Sequence, residues 1–259
     1  MTGNRGFGID IGGSGIKGGV VDLDVGQLIG ERLRVPTPKP STPDAVAEVV
    51  AGIVREFGWT GPLGVTLPSV IHRGTVRTAA NIDKGWLDTD AASLFAKNLD
   101  RSAEQIVVLN DADAAGVAEV RYGWPGDQRG VVVLLTFGTG IGSALFIDGV
   151  LVPNTEFGHL EVDGHDAETR AAASVKEDEE LSWEQWAKRV SRYISVLENQ
   201  VWPDLIIAGG GVSKKADKWI PLLDVRTRVV AAELRNDAGI VGAAAASAVL
   251  VPPRPPLGS

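Results

Sequence analysis

Several residues of this chain have the types and spacing that phosphate chemistry requires. Asp10 sits within an apolar run and is followed by Gly12, Gly13, Ser14, Gly15 and Lys17. Backbone amides in a glycine turn approach an anion closely, and a lysine beside them adds a point charge. A carboxylate at that place suits the water shell of Mg2+, which commonly binds through one or two carboxylates plus substrate phosphates. The order recurs downstream. Thr136 leads into Gly138, Thr139 and Gly140, and the two segments share the pattern G-[ST]-G-I. A third cluster, Gly209, Gly210 and Gly211, closes the apolar run DLIIA and precedes Val-Ser-Lys-Lys. A strand passing through glycines into a helix entry suits a nucleotide or phosphate chain.

Two simpler motifs fail on inspection. Gly13-x-Gly15-x-x-Gly18 has the spacing of a dinucleotide fingerprint, which needs a helix to begin in the loop. Here IKGGVVDLD follows, β-branched and alternating, which is a strand pattern. A Walker A loop fails as well, because Lys17 lies between Ile16 and Gly18. One such turn alone reads as an ordinary tight turn; two of them, each between strands, favour phosphate.

The candidate acid lies elsewhere. Asn110 and Asp111 end the apolar run IVVL and open a helical pattern. Both are common helix caps, yet this is also where α/β ligand clefts open. Asp111 there is placed to accept a hydroxyl proton during phosphoryl transfer, with Asn110 orienting the substrate. That reaction depends mainly on positioning and electrostatics, so one base and phosphate-clamping loops suffice. Glu156, His159 and Glu161 form a second polar knot among apolar neighbours, suited to a polyhydroxylated ligand. With no H-E-x-x-H pattern and no cysteine, zinc is not expected. His72 and His165 read as buried structural histidines, Trp86 and the other tryptophans as core and lid packing, and the run Lys176–Glu180 as a solvated face.

These groups must be positioned by a regular frame. Strands are expected at 6–11, 16–24 and 28–35, then a proline-rich loop and a helix from Thr42 to Phe57. Further strands follow at 63–67, 75–78 and 106–110, and a helix after Asp111. The second half repeats the plan with strands at 131–138 and after the glycine turn, a helix at 182–200 capped by Ser182, and the strand ending at Gly211. A small-residue helix at 238–250 must pack closely. The result is an α/β protein, a duplicated fold with two glycine hairpins facing one cleft. The first domain spans 1–110, with the last helix packing back on it; the second spans 111–250, and 251–259 is a disordered tail.

The chain of 259 residues is 44% hydrophobic and 22% charged, which excludes disorder and is enough for two modest cores. A net charge of −8 argues against broad nucleic-acid or membrane-surface binding. The absence of cysteine suits the cytoplasm, and neither a signal peptide nor a membrane span is expected.

The ordered segments GFGIDIGGSGIKGG, RTAANIDKGW, VLNDADAAG, LLTFGTGIGSA, PNTEFGHLEV, PDLIIAGGGVSKKADKW and AGIVGAAAAS resemble the ROK sugar-kinase family over almost the whole chain. The resemblance implies a two-domain actin-like ATPase (ribonuclease H-like) fold with the active site between domains. It implies transfer of a phosphoryl group from polyphosphate or ATP to the 6-hydroxyl of glucose by a cytoplasmic homodimer using Mg2+. By motif, Asp111 corresponds to the catalytic base, and Asn81, Asn110, Glu156, His159 and Glu168 to glucose ligands. The donor phosphates fall to Asp10, Gly12, Gly13, Ser14, Gly15 and Lys17, with Thr136, Gly138, Thr139 and Gly140. Gly209, Gly210 and Gly211 fall near adenine when ATP is the donor.

Many members carry a cysteine-rich zinc motif after the E-x-G-H histidine. This chain has EVDGHDAETRAA there, in agreement with the zinc-free branch that uses polyphosphate. Leu67-Pro68-Ser69 also departs from the Pro-Gly more frequent in relatives. A polyanionic donor calls for a basic track, for which Lys17, Arg73, Lys84, Arg121, Lys214, Lys215 and Lys218 are candidates. The alternatives are an ATP-preferring kinase of broader hexose specificity, a sugar-sensing member without catalysis, and an actin-like assembly protein. The second is disfavoured because only about five residues precede the first strand, too few for a DNA-binding module.

Overall fold

The computed structural model describes residues 4–248 except 81, 125, 127 and 128. They divide into two units, Met1–Ala114 with Gly239–Ser259, and Ala115–Ala238. The expected boundary after residue 110 thus falls one helical turn early, because the start of the following helix stays with its strand.

In the first unit, alternation of β-branched residues makes β1 (Arg5–Ile11) and β2 (Ile16–Asp22) an antiparallel hairpin across the glycine turn. The expected third strand is split into β3 (Gln27–Leu28) and β4 (Leu33–Val35), both paired to β2. Gly30, at φ +77°, sits in the break; a residue in the left-handed region cannot continue a strand. Helix α1 (Pro43–Glu56) follows, capped by the Thr42 hydroxyl. Strand β5 (Leu63–Leu67) pairs parallel to β1, and β8 (Ile106–Asn110) pairs parallel to β5. Between them lie a short hairpin, β6 (Ile71–His72) with β7 (Thr75–Val76), and α2 (Ala91–Leu99). The sheet order is β3-β2-β1-β5-β8. One core forms around Phe7, Ile9, Val50, Ile53, Val65, Trp86 and Phe95.

Helix α7 (Ala238–Ala248) lies backbone to backbone against this sheet. A Cβ at Gly8 would come within 1.9 Å of the Ile240 carbonyl oxygen, and one at Gly64 within 1.8 Å of that of Ala243. From the helix side, a Cβ at Gly242 would meet the Ala114 carbonyl at 1.7 Å. This contact is why the sequence AGIVGAAAAS holds only small residues around its Ile and Val. The expected end of the helix at 249–250, and the tail 251–259, lie outside the described residues.

The second unit repeats the order. After α3 (Asp111–Ala118) and a π turn at Glu119–Gly123, β9 (Val131–Phe137) and β10 (Ile141–Ile147) form an antiparallel hairpin, with β11 (Val150–Val152) beyond. A small hairpin follows, β12 (Glu161–Val162) with β13 (His165–Asp166). Next come α4 (Glu168–Ala171), α5 (Ala173–Asp178) and the long α6 (Trp183–Val201), started by a Ser182–Gln185 capping box. Strands β14 (Leu205–Gly210) and β15 (Arg228–Ala231) complete the sheet β11-β10-β9-β14-β15. Phe137, Trp186 and Trp219 pack edge to face in its core. Trp202 is not core; it is 69% exposed, with the Arg226 guanidinium over its ring.

The close packing of α7 makes a paired test. Gly64→Ala forces a methyl into the Ala243 backbone and should lower stability by roughly 1–3 kcal/mol or more. Gly52→Ala, on the open face of α1 where no atom lies within 4 Å of the new methyl, should instead raise it by about 0.5–1 kcal/mol. Thermal unfolding of both variants measures the contrast.

Candidate active site

Strand pairing builds the first unit's cluster. The register sets Asp10 opposite Lys17 on β2 and Thr66 on β5. The Asp10 carboxylate accepts from Lys17 Nζ at 3.0 Å and from the Thr66 hydroxyl at 3.1 Å. The Thr66 oxygen in turn accepts the Ile11 amide at 3.3 Å. Gly239 at the start of α7 lies so close that a Cβ there would be 2.8 Å from the Asp10 carboxyl carbon. Lys17, expected beside donor phosphates, is therefore tied to Asp10 in this state, with two of its three N–H groups left.

The turn from Gly12 to Gly15 closes with a Gly12 N–H to Gly15 carbonyl bond of 3.1 Å. Thr37 donates to the Gly12 carbonyl at 2.6 Å, and Arg34 donates to the Ser14 carbonyl at 3.0 Å. Beside it opens a cavity of about 260 Å3 lined by Gly12, Gly13, Thr37, Lys39, Ser41 and Asp83 among others.

At the end of β8, Asn110 Oδ1 accepts the amides of Ala112 at 2.7 Å and Asp113 at 3.2 Å, while its Nδ2 donates to the Ser69 carbonyl at 3.2 Å. The capping role is real, and it fixes Asn110 against the buried Ser69. Asp111 accepts from the Ala112 amide at 2.8 Å and stays exposed. Asn81 lies outside the described residues.

The second unit gathers the other polar knot. Its glycine turn closes with a bond from Gly138 N–H to the Gly140 carbonyl, 2.9 Å, and is held from α5 by Ser174, which donates to Thr139 and Gly138 carbonyls. The Glu168 carboxylate accepts the Ile141 amide at 3.0 Å, against Gly140, where a Cβ would sit 2.2 Å from it. Thr136 lies in β9 beside Gly142 and Gly209. Gly210, at φ +82°, turns where a Cβ would strike the Phe137 carbonyl; Gly211 opens the 3-10 stretch Gly211–Lys218, kinked at Lys215 and more tightly wound than the expected helix.

Ser143 on β10 anchors the segment leading to His159. Its buried hydroxyl donates to the Thr155 carbonyl at 2.7 Å and accepts the Phe157 amide at 2.9 Å. His159 Nδ1 lies 2.8 Å from Asp166 Oδ2 and 4.0 Å from Glu168 Oε1. The hydrogen bond to Asp166 is the largest influence raising the His159 pKa, with the charges of Glu168, Asp166 and Glu156 adding to it. The raised value means that this stabilisation is complete below the unfolded pKa of 6.5 and is lost as pH rises through the folded one. Although part of Glu156 reaches solvent, lost hydration of its carboxyl raises its pKa; His159 opposes this and Glu168 reinforces it. One ligand atom each of His159, Asp166 and Glu168 lies within 4.8 Å of the others, but the histidine Nδ1 and a Glu168 oxygen are already hydrogen-bonded.

His72 and His165 are exposed, not buried; His165 stands 2.9 Å from Arg170. Of the basic candidates, Lys17, Arg73 and Lys84 belong to the first unit, and Arg121, Lys214, Lys215 and Lys218 to the second. Thr66, Ser143 and Asp166 had escaped the sequence reading. Thr66 has no local signal, since only strand pairing brings it to Asp10. Asp166 had one: Asp163-Gly164 between short β-forming residues is a hairpin turn signature, and it returns the chain to His159.

A sheet order present twice, each time with a glycine hairpin between its first two strands, defines the two-domain actin-like ATPase fold. The ROK family model matches residues 6–175. A polyphosphate glucokinase of Mycobacterium tuberculosis is 61% identical over 246 residues, covering 95% of this chain and 92% of that protein. Its counterpart from Mycobacterium leprae is 60% identical over 94% of this chain and 75% of its own length. The crystal structure of an inorganic polyphosphate/ATP-glucomannokinase from an Arthrobacter species superimposes with a TM-score of 0.87 at 52% identity, covering 95% of this chain and 99% of that one. A ROK family glucokinase from Streptomyces griseus shares the fold, with a TM-score of 0.77 at 23% identity over 93% of this chain and 98% of that one. The chain belongs to the ROK family.

Ser143→Ala leaves the Phe157 amide without its acceptor and should cost about 1–3 kcal/mol. Thermal unfolding of the variant measures the loss.

Proposed function

We propose that this protein transfers a phosphoryl group from inorganic polyphosphate or ATP to the 6-hydroxyl of glucose. The observation that carries this is the 61% identity to a polyphosphate glucokinase over 95% of the chain, with NDAD and EFGH intact. Asp111 accepts the proton of the 6-hydroxyl as its oxygen bonds to the terminal phosphorus. The phosphoanhydride bond breaks, and ADP or a polyphosphate one unit shorter leaves. Asn110, whose side chain is fixed by three hydrogen bonds, orients the sugar, as do Asn81, Glu156, His159 and Glu168. Desolvation that raises the Glu156 pKa suits a group that hydrogen-bonds hydroxyls rather than pairing with a cation.

The donor phosphates lie against Gly12, Gly13, Ser14, Gly15 and Lys17, and against Thr136, Gly138, Thr139 and Gly140. Gly209, Gly210 and Gly211 serve the adenine end of ATP. Asp10 fits Mg2+ only through water. Both its oxygens already accept hydrogen bonds, yet a carboxylate has about four lone-pair sites and retains capacity for a hydrated ion. Held there, Mg2+ would supply positive charge against the donor phosphates. The reading also takes the protein as a cytoplasmic homodimer, on the family resemblance; no helix among the described residues is long and apolar enough to cross a membrane. Light scattering that gave a 27.2 kDa particle would remove the dimer. A wider hexose range is favoured by the 52% identity to a protein named as a glucomannokinase.

Kinetics with polyphosphate and ATP against glucose and mannose test the reading directly; no glucose 6-phosphate from either donor would end it. Asp111→Asn should lower kcat by about 10²–10⁴ with glucose still bound by calorimetry, and near-normal turnover would refute the base. Raising salt should increase KM for polyphosphate more than for glucose, since only the donor is a polyanion.

A further inference from the structure

Beside Glu156, His159 and Glu168 stands a further carboxylate, that of Asp166. Asp166 ends the β12–β13 hairpin, whose turn places Asp163 at φ +53° and Gly164 at φ +79°. That turn is clamped from α6, where Arg192 Nε donates to both Asp163 oxygens at 3.2 and 3.0 Å and Nη2 donates to Oδ1 at 2.6 Å. The hairpin base is closed by the Ala167 amide donating to the Leu160 carbonyl at 2.9 Å. Asp166 is therefore held on two sides, and its own oxygens divide the work. Oδ1 accepts the Glu168 amide at 3.2 Å at the entry to α4, and Oδ2 lies 2.8 Å from His159 Nδ1.

An ionised carboxylate only accepts hydrogen bonds, so His159 must carry its proton on Nδ1. This leaves Nε2 as the atom available to a ligand, a lone pair in the neutral ring and a donor in the cation. The charged groups around His159 are Glu156 before it, Asp166 from β13 and Glu168 from α4; β10, which packs against the turn, has no ionisable side chain.

We propose that Asp166 is a positioning residue for the sugar site, fixing the tautomer and ring orientation of His159 so that Nε2 is presented to a hexose hydroxyl. The inference rests on the reading of His159 as a sugar ligand. It goes beyond that reading in assigning the group that makes the histidine competent. The nearest alternative role for Asp166 is as a cap of α4 and nothing more.

Asp166→Asn separates the two. The amide oxygen can still accept the Glu168 N–H, but the NH2 group then faces Nδ1, which must become an acceptor, and the ring proton moves to Nε2. In 15N-labelled protein the Nδ1 resonance of His159 should shift from protonated to lone-pair type, and its titration midpoint should fall. Glucose KM should rise at least about tenfold, in the range for a misplaced hydrogen bond, with a smaller change in kcat and an unchanged polyphosphate KM. Asp166→Ser is the second variant: serine caps a helix well but is too short to hold the ring. It should match the asparagine variant in glucose KM while keeping the melting temperature near that of the parent. A serine variant with parental glucose KM overturns the proposal, as does an asparagine variant whose His159 tautomer or glucose KM stays unchanged. His159→Ala distinguishes the two levels. If it leaves glucose KM unmoved, the histidine is no sugar ligand; if it raises KM while the Asp166 variants do not, only the positioning role falls.

Discussion

The contact on which the first unit depends is one between bare backbones. Helix α7 approaches β1 and β5 so closely that no side chain larger than hydrogen fits at Gly8 or Gly64. A sheet and helix normally stand apart by the depth of their interdigitating side chains; here glycines remove that layer. The approach has a chemical consequence at the end of the helix. It sets Gly239 directly against the Asp10 carboxylate, on the same strand that runs into the Gly12–Gly15 turn. The carboxylate is enclosed by Lys17, Thr66 and the start of α7, so its position is set by three elements rather than by its own rotamer preference. The Mg2+ role proposed for Asp10 requires that kind of fixation, because the ion's waters supply none.

The second unit meets a similar demand by different means. Its polar residues lie on short segments, a 3-10 turn at Phe157–His159 and a two-strand hairpin, which have little intrinsic stability. They are held by side-chain bonds reaching in from long elements: Ser143 from β10, Arg192 from α6, and Ser174 from α5 to the glycine turn. Glu168 connects the polar cluster around His159 to that glycine turn through the Ile141 amide. A shift of α4, which carries Glu168, would therefore move the Gly138–Gly140 turn as well.

The legible part of this protein was whatever its local sequence encodes. Glycine turns between β-branched runs, the Thr42 and Ser182 caps and the small-residue helix all follow from rules acting over a few residues. The broken third strand was hidden because Gly30 is permissive rather than diagnostic, and only its left-handed φ ends the strand. The misplaced histidines show the opposite limit. His72 and His165 were expected to be buried, but both lie in two-residue strands of small hairpins with their own side chains exposed. Thr66 became a site residue only through parallel pairing across 55 residues of separation from Ile11, a relation no local pattern records.

That distinction explains why Asp166 was harder to see than its neighbours. Asn110, Asp111, Glu156 and His159 stand in compact motifs, where adjacent residue types advertise a site. Asp166 belongs to no such motif, and its link to His159 requires a left-handed Asp163-Gly164 turn, strand register and an arginine clamp acting together. Each is weak alone: the turn bends the chain, the two-residue pairing is too short to be stable, and an exposed ion pair contributes little. In combination they confine one carboxylate to hydrogen-bonding distance of one ring nitrogen. The chemistry of the histidine is thus set seven residues away in sequence, by the stretch EVDGHD.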